Sequence, residues 1–242
     1  MGTQLIEDYC HEIEAYLCRK NDGHLIRIVG PSFELVSGWA ERGLPLKIAY
    51  RGIDRYFERY YRKGPRRRPV RIDFCEPDVL EAFDDWRRAV GVAASTAGGL
   101  DEAEAAPDAS ADRRGPSLPA HLERVVMRLT AARVNGGVGQ ECDDLIDRVA
   151  RELDAARSVA RGVRGDARRA LVNRLSELDA ELLQTARVTL DEATRVALRR
   201  EAEAELSGFR DRMAPDAFAR SRDAAVDRLV RERLGLPILA FR

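Results

Sequence analysis

The sequence predicts a mainly α protein in two parts: a small N-terminal helical domain over residues 1–90 and a C-terminal antiparallel helical bundle over residues 119–242, joined by a flexible linker at 91–118. Three observations predict it. Apolar residues recur at three- and four-residue spacing through nearly all of both parts, the period of a helix with one face turned inward. The stretches between these runs are short and rich in Gly, Pro, Asn and Asp, which stop helices. Residues 91–118 are built from Ala, Gly, Ser, Asp and Pro with few large apolar side chains, too few to offset the entropy of ordering the chain.

Taken in order, residues 4–20 place Ile6, Tyr9, Cys10, Ile13, Tyr16 and Leu17 on one helical face. Residues 24–29 alternate loosely between Gly23 and Gly30-Pro31, and residues 70–74 (VRIDF) read the same way. These two segments are expected either as connectors or as a short two-stranded ribbon backed by helices. Residues 31–42 predict a short helix with Phe33, Val36 and Trp39 inward, and Gly43-Leu44 a tight turn. A helix over 45–62 follows, then one over 76–90 with Val79, Leu80, Phe83 and Trp86 inward and an acidic start that complements the helix dipole.

The second part predicts helices at 119–134 (Leu122, Val125, Val126, Leu129 inward) and 141–161 (Leu145, Ile146, Val149, Leu153, Val159). The next begins at Asp166, read as its cap. Leu171, Leu175, Leu178, Leu182 and Thr185 give it a heptad-like, coiled-coil seam. Thr189 and Glu192 match a capping box, so a separate helix is expected from there to about Met213, with one unbroken helix over 166–213 as the alternative. The last helix spans 215–234, with Ala217, Phe218, Ala225, Leu229 and Val230 inward. Narrow stripes of this kind suit a bundle core or, next, self-association as a homodimer.

Charge singles out residues 43–71, GLPLKIAYRGIDRYFERYYRKGPRRRPVR. Leu46, Ala49, Ile53, Tyr56, Phe57 and Tyr60 share a face, with Lys47, Arg51, Asp54, Arg55, Glu58 and Arg62 opposite. From Arg51 to Arg71 nine Lys and Arg face two carboxylates, although the whole chain carries no net charge. On the helix these charges can pair at i,i+3 and i,i+4 spacing. After Gly64-Pro65 come Arg66, Arg67, Arg68 and Arg71, an arginine cluster whose first three members have no acidic residue within four positions, the setting for bidentate phosphate contacts. The preceding helix and glycine turn make the hairpin helix-turn-helix-like. Lys47, Arg51, Arg55, Lys63, Arg66, Arg67, Arg68 and Arg71 are therefore the candidate DNA- or RNA-binding residues.

The GLPLKIAYRGID segment and the helix ending at Trp86 resemble, in general layout, the DnaD-type helical domains of bacterial and phage replication initiators and helicase loaders. Those domains often close on Tyr-x-x-x-Ile-x-x-x-Trp; Trp86 holds the last place, with Asp78 and Ala82 at the other two. The resemblance implies a non-enzymatic, replication- or mobile-element-linked binding domain over residues 1–90. The apolar tail, residues 235–242, has two readings. It folds back onto the bundle, or it binds a protein partner through Leu236, Leu239 and Phe241. Its Leu239-Ala-Phe241 end is similar to bacterial sliding-clamp-binding peptides, with Leu236 where those prefer Gln.

No P-loop, G-x-G-x-x-G after a strand, G-x-S-x-G or H-E-x-x-H occurs, so no enzyme, catalytic residue or cofactor is expected. Cys10 and Cys18 would stand ~12 Å apart along a helix, beyond the ~7 Å reach of a disulfide. Cys10, His11, His24 and Cys75 lack the spacing of a zinc site, so no metal is expected. No apolar run reaches membrane-helix length. The start lacks a signal peptide's basic and apolar regions, and Ile6 replaces the Ser/Thr of a myristoylation signal, so a cytoplasmic location is expected. The sum is a non-enzymatic nucleic-acid-associated protein, with a structural or adaptor protein acting through helix–helix association as the alternative.

Overall fold

The computed structural model describes residues 2–62, 69–92, 117–134, 139–160 and 162–241. Among them the chain is mainly α: nine α-helices, two short 3-10 segments and no strand. The helices are α1 (Gly2–Lys20), α2 (Pro31–Glu41), α3 (Leu46–Tyr61), α4 (Glu76–Val90), α5 (Leu118–Val134), α6 (Gln140–Val159), α7 (Gly165–Thr189), α8 (Glu192–Glu205) and α9 (Pro215–Leu234). The 3-10 segments are Ile72–Cys75 and Ser207–Arg212. No helix is long and apolar enough to cross a membrane among the described residues.

Two compact units result. The first comprises Met1–Ser95 with Glu201–Ala225, the second Thr96–Arg200 with Val226–Arg242. Most of the segment read as a linker lies outside the described residues.

In the first unit, α1 and α4 pack on α3, and Cys10, Ile13, Leu17, Ile48, Ile53, Phe57, Val79, Phe83 and Trp86 are buried. The inward face of α3 is shifted from the predicted one. Ile48 and Gly52 join Ala49, Ile53 and Phe57, while Leu46, Tyr56 and Tyr60 are half-buried. Gly52 is what lets α3 and α4 meet: a Cβ there would stand 2.3 Å from the Val79 Cα. Phe33, expected inward, is exposed, whereas Val36 and Trp39 are fully buried.

The ribbon does not form. The backbone N–H groups of residues 24–29 are drawn to α1 instead: Ile26 N–H donates to Cys18 Sγ at 3.3 Å and Ile28 N–H to Glu14 Oε2 at 2.8 Å. The place of a partner strand at Val70 is taken by one side chain. Buried Asn21 accepts from Val70 N–H at 2.6 Å and donates to Val70 C=O at 3.1 Å. Ile72–Cys75 then coils into a 3-10 turn with Ile72 and Cys75 inward and Phe74 outward.

Glu201–Ala225 joins this unit through aromatic and polar contacts. Phe209 lies 5.7 Å from the Trp86 ring and 6.5 Å from Phe83. Trp86 Nε1–H donates to Glu205 Oε2 at 3.1 Å, and Arg212 reaches the Glu41 carbonyl at 3.1 Å.

In the second unit, α5 packs on α6 and α6 on α7. Arg148 pairs with Glu181, and Arg174 with Glu152 at 2.7 Å. Ascending positions on α6 thus meet descending ones on α7, so these two helices are antiparallel. Leu122, Val125, Leu129, Leu145, Ile146, Val149, Leu153, Leu175, Leu178 and Leu182 are buried, as the stripes predict, whereas Val126, Leu171 and Thr185, also expected inward, sit at the stripe edges and are only half-buried. α7 and α8 are separate helices, but Asp191 rather than Thr189 caps α8, accepting from Thr194 N–H at 2.7 Å. Those bonds hold its carboxyl below the usual range. Asp166, read as the cap of α7, lies inside its first turn, and Arg164 takes the cap position.

Candidate nucleic-acid interface

The stretch from Lys47 to Arg71 builds the candidate interface. Gly43 takes a left-handed φ of 76° between α2 and α3, and Pro45 (φ −66°, ψ 139°) is the N-cap of α3 and not its first helical residue, so the helix begins at Leu46, one residue later than predicted from sequence. Past this turn, Lys47, Arg55 and Arg59 of α3 are each tied to an acid. Lys47 Nζ lies 2.6 Å from Glu201 Oε1. Arg51 is also engaged. Arg55 reaches α4, 3.2 Å from Asp85 and 4.0 Å from Glu81, rather than pairing along its own helix with Glu58.

Arg59, which is not among the binding residues predicted from sequence, makes the strongest of these pairs. Its two Nη atoms donate to both oxygens of the buried Asp78 carboxylate at 2.8 and 2.7 Å. An isolated buried carboxylate would be costly, and a bidentate guanidinium is the standard compensation. Only burial of Asp78 beneath α3 distinguishes this pair, and sequence spacing carries no sign of it.

The balance changes at the end of the helix. Arg62 is exposed and has no ion pair among the described residues. Lys63, Arg66, Arg67 and Arg68 lie outside the described residues. Arg71 is 70% exposed and pairs with Asp73 at 3.0 Å, an exposed contact of low strength that leaves the guanidinium open to other partners.

Aromatic rings line this end of α3. Tyr56 and Tyr60 stack with centroids 5.7 Å apart, Tyr60 meets Tyr61 edge-on at 5.5 Å, and Tyr61 lies 5.8 Å from buried Phe57. Beyond Arg71, Phe74 faces outward. Further along the same unit, Tyr16 and Tyr50 stack at 4.0 Å, and Tyr16 O–H donates to Asp54 at 2.8 Å. Burial, then Asp54, raises the Tyr16 pKa; burial, then Glu12, pushes Tyr50 up to about 12.

Compared with protein-family models, with curated proteins and with solved structures, the chain matches none.

The cysteines and histidines are dispersed. Among the described residues no three His, Cys, Asp or Glu side chains stand together as a metal would need. Cys10 Sγ faces Ser37 Oγ, His24 Nδ1 lies 2.8 Å from the Asn21 carbonyl, and burial with Asp78 and Asp73 nearby pushes the Cys75 thiol up to about 12.

The tail residues lie folded on the second unit. Leu236 and Leu239 are buried. Asp179 accepts from Arg231 at 2.8 Å and from Leu239 N–H at 2.7 Å, Arg231 also donates to the Pro237 carbonyl at 3.0 Å, and His121 Nε2 contacts the Leu239 carbonyl at 2.9 Å. Phe241 sits edge-on to His121. A clamp-type partner would have to displace all of these contacts to reach Leu239.

Proposed function

We propose that this chain is a non-enzymatic nucleic-acid-associated protein whose contact region is the arginine-rich stretch from Arg62 to Arg71. The observation that carries this reading is the change in pairing along the chain. Lys47, Arg55 and Arg59 pair with carboxylates far away in the chain, whereas Arg62 has no ion pair among the described residues and Arg71 pairs only with its sequence neighbour Asp73. Arginines clustered in one short stretch suit phosphate, which they bind bidentately with release of counterions. Lys47, Arg51 and Arg55 then belong to the scaffold. The likeness in layout to DnaD-type domains supports a replication- or mobile-element-linked role in the cytoplasm.

The test is binding of DNA and RNA across a range of salt. Changing Arg66, Arg67 and Arg68 together to Ala should abolish most of the affinity and flatten the dependence of log K on log salt by about 0.7–0.9 per lost phosphate contact. Unchanged binding in the triple variant, or no binding by the wild type, would overturn the reading.

A second reading, an adaptor acting through helix–helix association, is favoured by one feature. On α5, Val126, Met127, Thr130, Ala131 and Val134 form a continuous outward stripe with Met127 and Val134 well exposed. Sedimentation of the full chain decides between them: dimers that become monomers in Met127→Glu would favour the adaptor.

A further inference from the structure

Residues 24–29 form an edge that the fold uses on one side only. On α1, Glu14 and Cys18 stand one turn apart, about 6 Å along the axis. They bond the N–H groups of Ile28 and Ile26 respectively. Two residues of an extended chain span nearly the same distance, about 6.6 Å. Cys18 Sγ also donates to the Ile26 carbonyl at 3.5 Å. The segment therefore runs extended and antiparallel to α1, with backbone groups that alternate in direction. Those of Ile26 and Ile28 turn to the helix. Those of Leu25, Arg27 and Val29 turn the opposite way, where no described residue bonds them. Side chains alternate as well. Ile28 is buried and Ile26 half-buried, whereas Leu25 is 77% and Val29 65% exposed, with Arg27 exposed between them. The result is an open strand edge whose outward row reads apolar, cationic, apolar.

We propose that this edge docks an extended peptide, which adds as a strand and carries a carboxylate residue between two apolar ones at alternate positions. An open edge offers N–H and C=O groups in a row, which another extended backbone matches. In an antiparallel pair each outward residue meets one residue of the incoming strand, on the same side of the pleat. Apolar side chains suit the places opposite Leu25 and Val29. Arg27 makes no ion pair with a described residue, and Asp or Glu suits the place opposite it. The same arginine selects against a second copy of this chain: a two-fold pairing along the whole edge sets the two Arg27 side chains against each other. The inference does not depend on the nucleic-acid reading.

The experiment is fluorescence anisotropy on the full-length chain with three labelled peptides: Ser-Val-Thr-Glu-Thr-Val-Ser, the same peptide with Lys at its centre, and the parent N-methylated at the central Glu. The wild type should bind the parent. Lys at the centre should weaken binding by about 2- to 30-fold, the change from an attractive to a repulsive cross-strand pair. N-methylation should weaken it by about 5-fold or more, because a backbone hydrogen bond is lost. Arg27→Glu should reverse the preference between the Glu and Lys peptides. Leu25→Pro removes an N–H that the folded chain leaves unbonded, so it should weaken binding of the parent while tryptophan emission reports an intact first unit. Equal binding of the Glu and Lys peptides, undiminished binding of the N-methylated peptide, or no binding at all overturns the proposal. These three comparisons use the wild type, so they decide it even where a variant fails to fold. A dimer in sedimentation that Leu25→Pro dissociates would assign the edge to a second copy and overturn the proposal as well. The nucleic-acid reading is decided separately, by its salt titration.

Discussion

The first unit and the second are each closed by different means. The first closes on rings and bare backbone. Gly52 lets α3 press onto α4, Trp86 stacks on Phe83 and lies tilted against Phe209, and Asn21 satisfies the backbone of Val70 with a single side chain. The second has leucine and valine stripes laced at their edges by arginine–carboxylate pairs between helices, with its tail held down by Asp179 and His121. Tolerance to substitution should differ accordingly. A core that depends on close backbone approach has no slack, whereas stripes of flexible aliphatics with solvated bridges adapt. Arginine also has two separate uses in this chain. In the second unit Arg231 holds the tail while Arg148 and Arg174 bridge helices at their solvated edges; in the first, Arg62 at the end of α3 has no ion pair among the described residues.

Both tryptophans of the chain, Trp39 and Trp86, are in the first unit. Their emission reports that unit while circular dichroism at 222 nm reports both, so the two cores can be followed separately. The largest effects are expected in the first unit. Gly52→Ala forces a Cβ against the Val79 backbone, which cannot rotate away as a side chain would; a loss of about 3 kcal/mol or more should appear as an early transition in tryptophan emission. Phe209→Ala removes a buried ring and should cost about 4 kcal/mol in the same signal. A midpoint unchanged in emission would show that Ser207–Arg212 does not belong to this core.

Next comes the second unit. Asp179→Ala strands the Arg231 guanidinium, which is only 12% exposed, and frees the Leu239 N–H; about 2–3 kcal/mol should be lost. Here the circular dichroism transition should move and tryptophan emission should lag behind it. Equal shifts of both signals would mean the two units unfold as one.

Alkali should act on the units unequally. Tyr9, Tyr16, Tyr50 and Cys75 of the first unit all have raised pKa values, chiefly through burial, Tyr50 and Cys75 to about 12. Above pH ~9–10, where these groups ordinarily ionise, the unfolded chain releases protons that the folded unit keeps. Stability is then fully present below that range and falls as pH rises toward 12. Urea midpoints read by tryptophan emission should drop across this window, and a flat profile would contradict the burial of these groups.

The smallest effect is expected at the exposed bridges. Arg174→Ala removes the contacts to Glu152 and Glu177, both solvated, and should leave the urea midpoint of the second unit nearly unchanged at physiological salt. A large loss there would show that the lacing, and not the aliphatic stripe, holds α6 to α7.

Much of the fold is legible in the residues alone. The 3–4 periodicity locates the helices, and the buried residues of α5, α6 and α7 follow the predicted stripes because a long, regular helix has one apolar face and must bury it. The candidate interface is legible only as charge. Its arginine count is a property of composition, but which arginines are spoken for is a property of packing. Lys47, Arg55 and Arg59 meet Glu201, Asp85 and Asp78, partners 154, 30 and 19 residues away, and no local pattern announces such pairs.

Periodicity, helix breakers and charge within a few residues are thus enough to set the mainly α class, most helix limits and the existence of an uncompensated arginine stretch. The rest depends on contacts between residues distant in the chain. Such contacts turned residues 70–74 from a strand-like run into a 3-10 turn, because Asn21 supplied the hydrogen bonds a partner strand would have given. They assigned Glu201–Ala225 to the first unit, because Phe209 completes the ring cluster at Trp86. And they left Tyr61 and Phe74 facing water near Arg62 and Arg71, because Phe57, Ile72 and Cys75 had already filled the space inside.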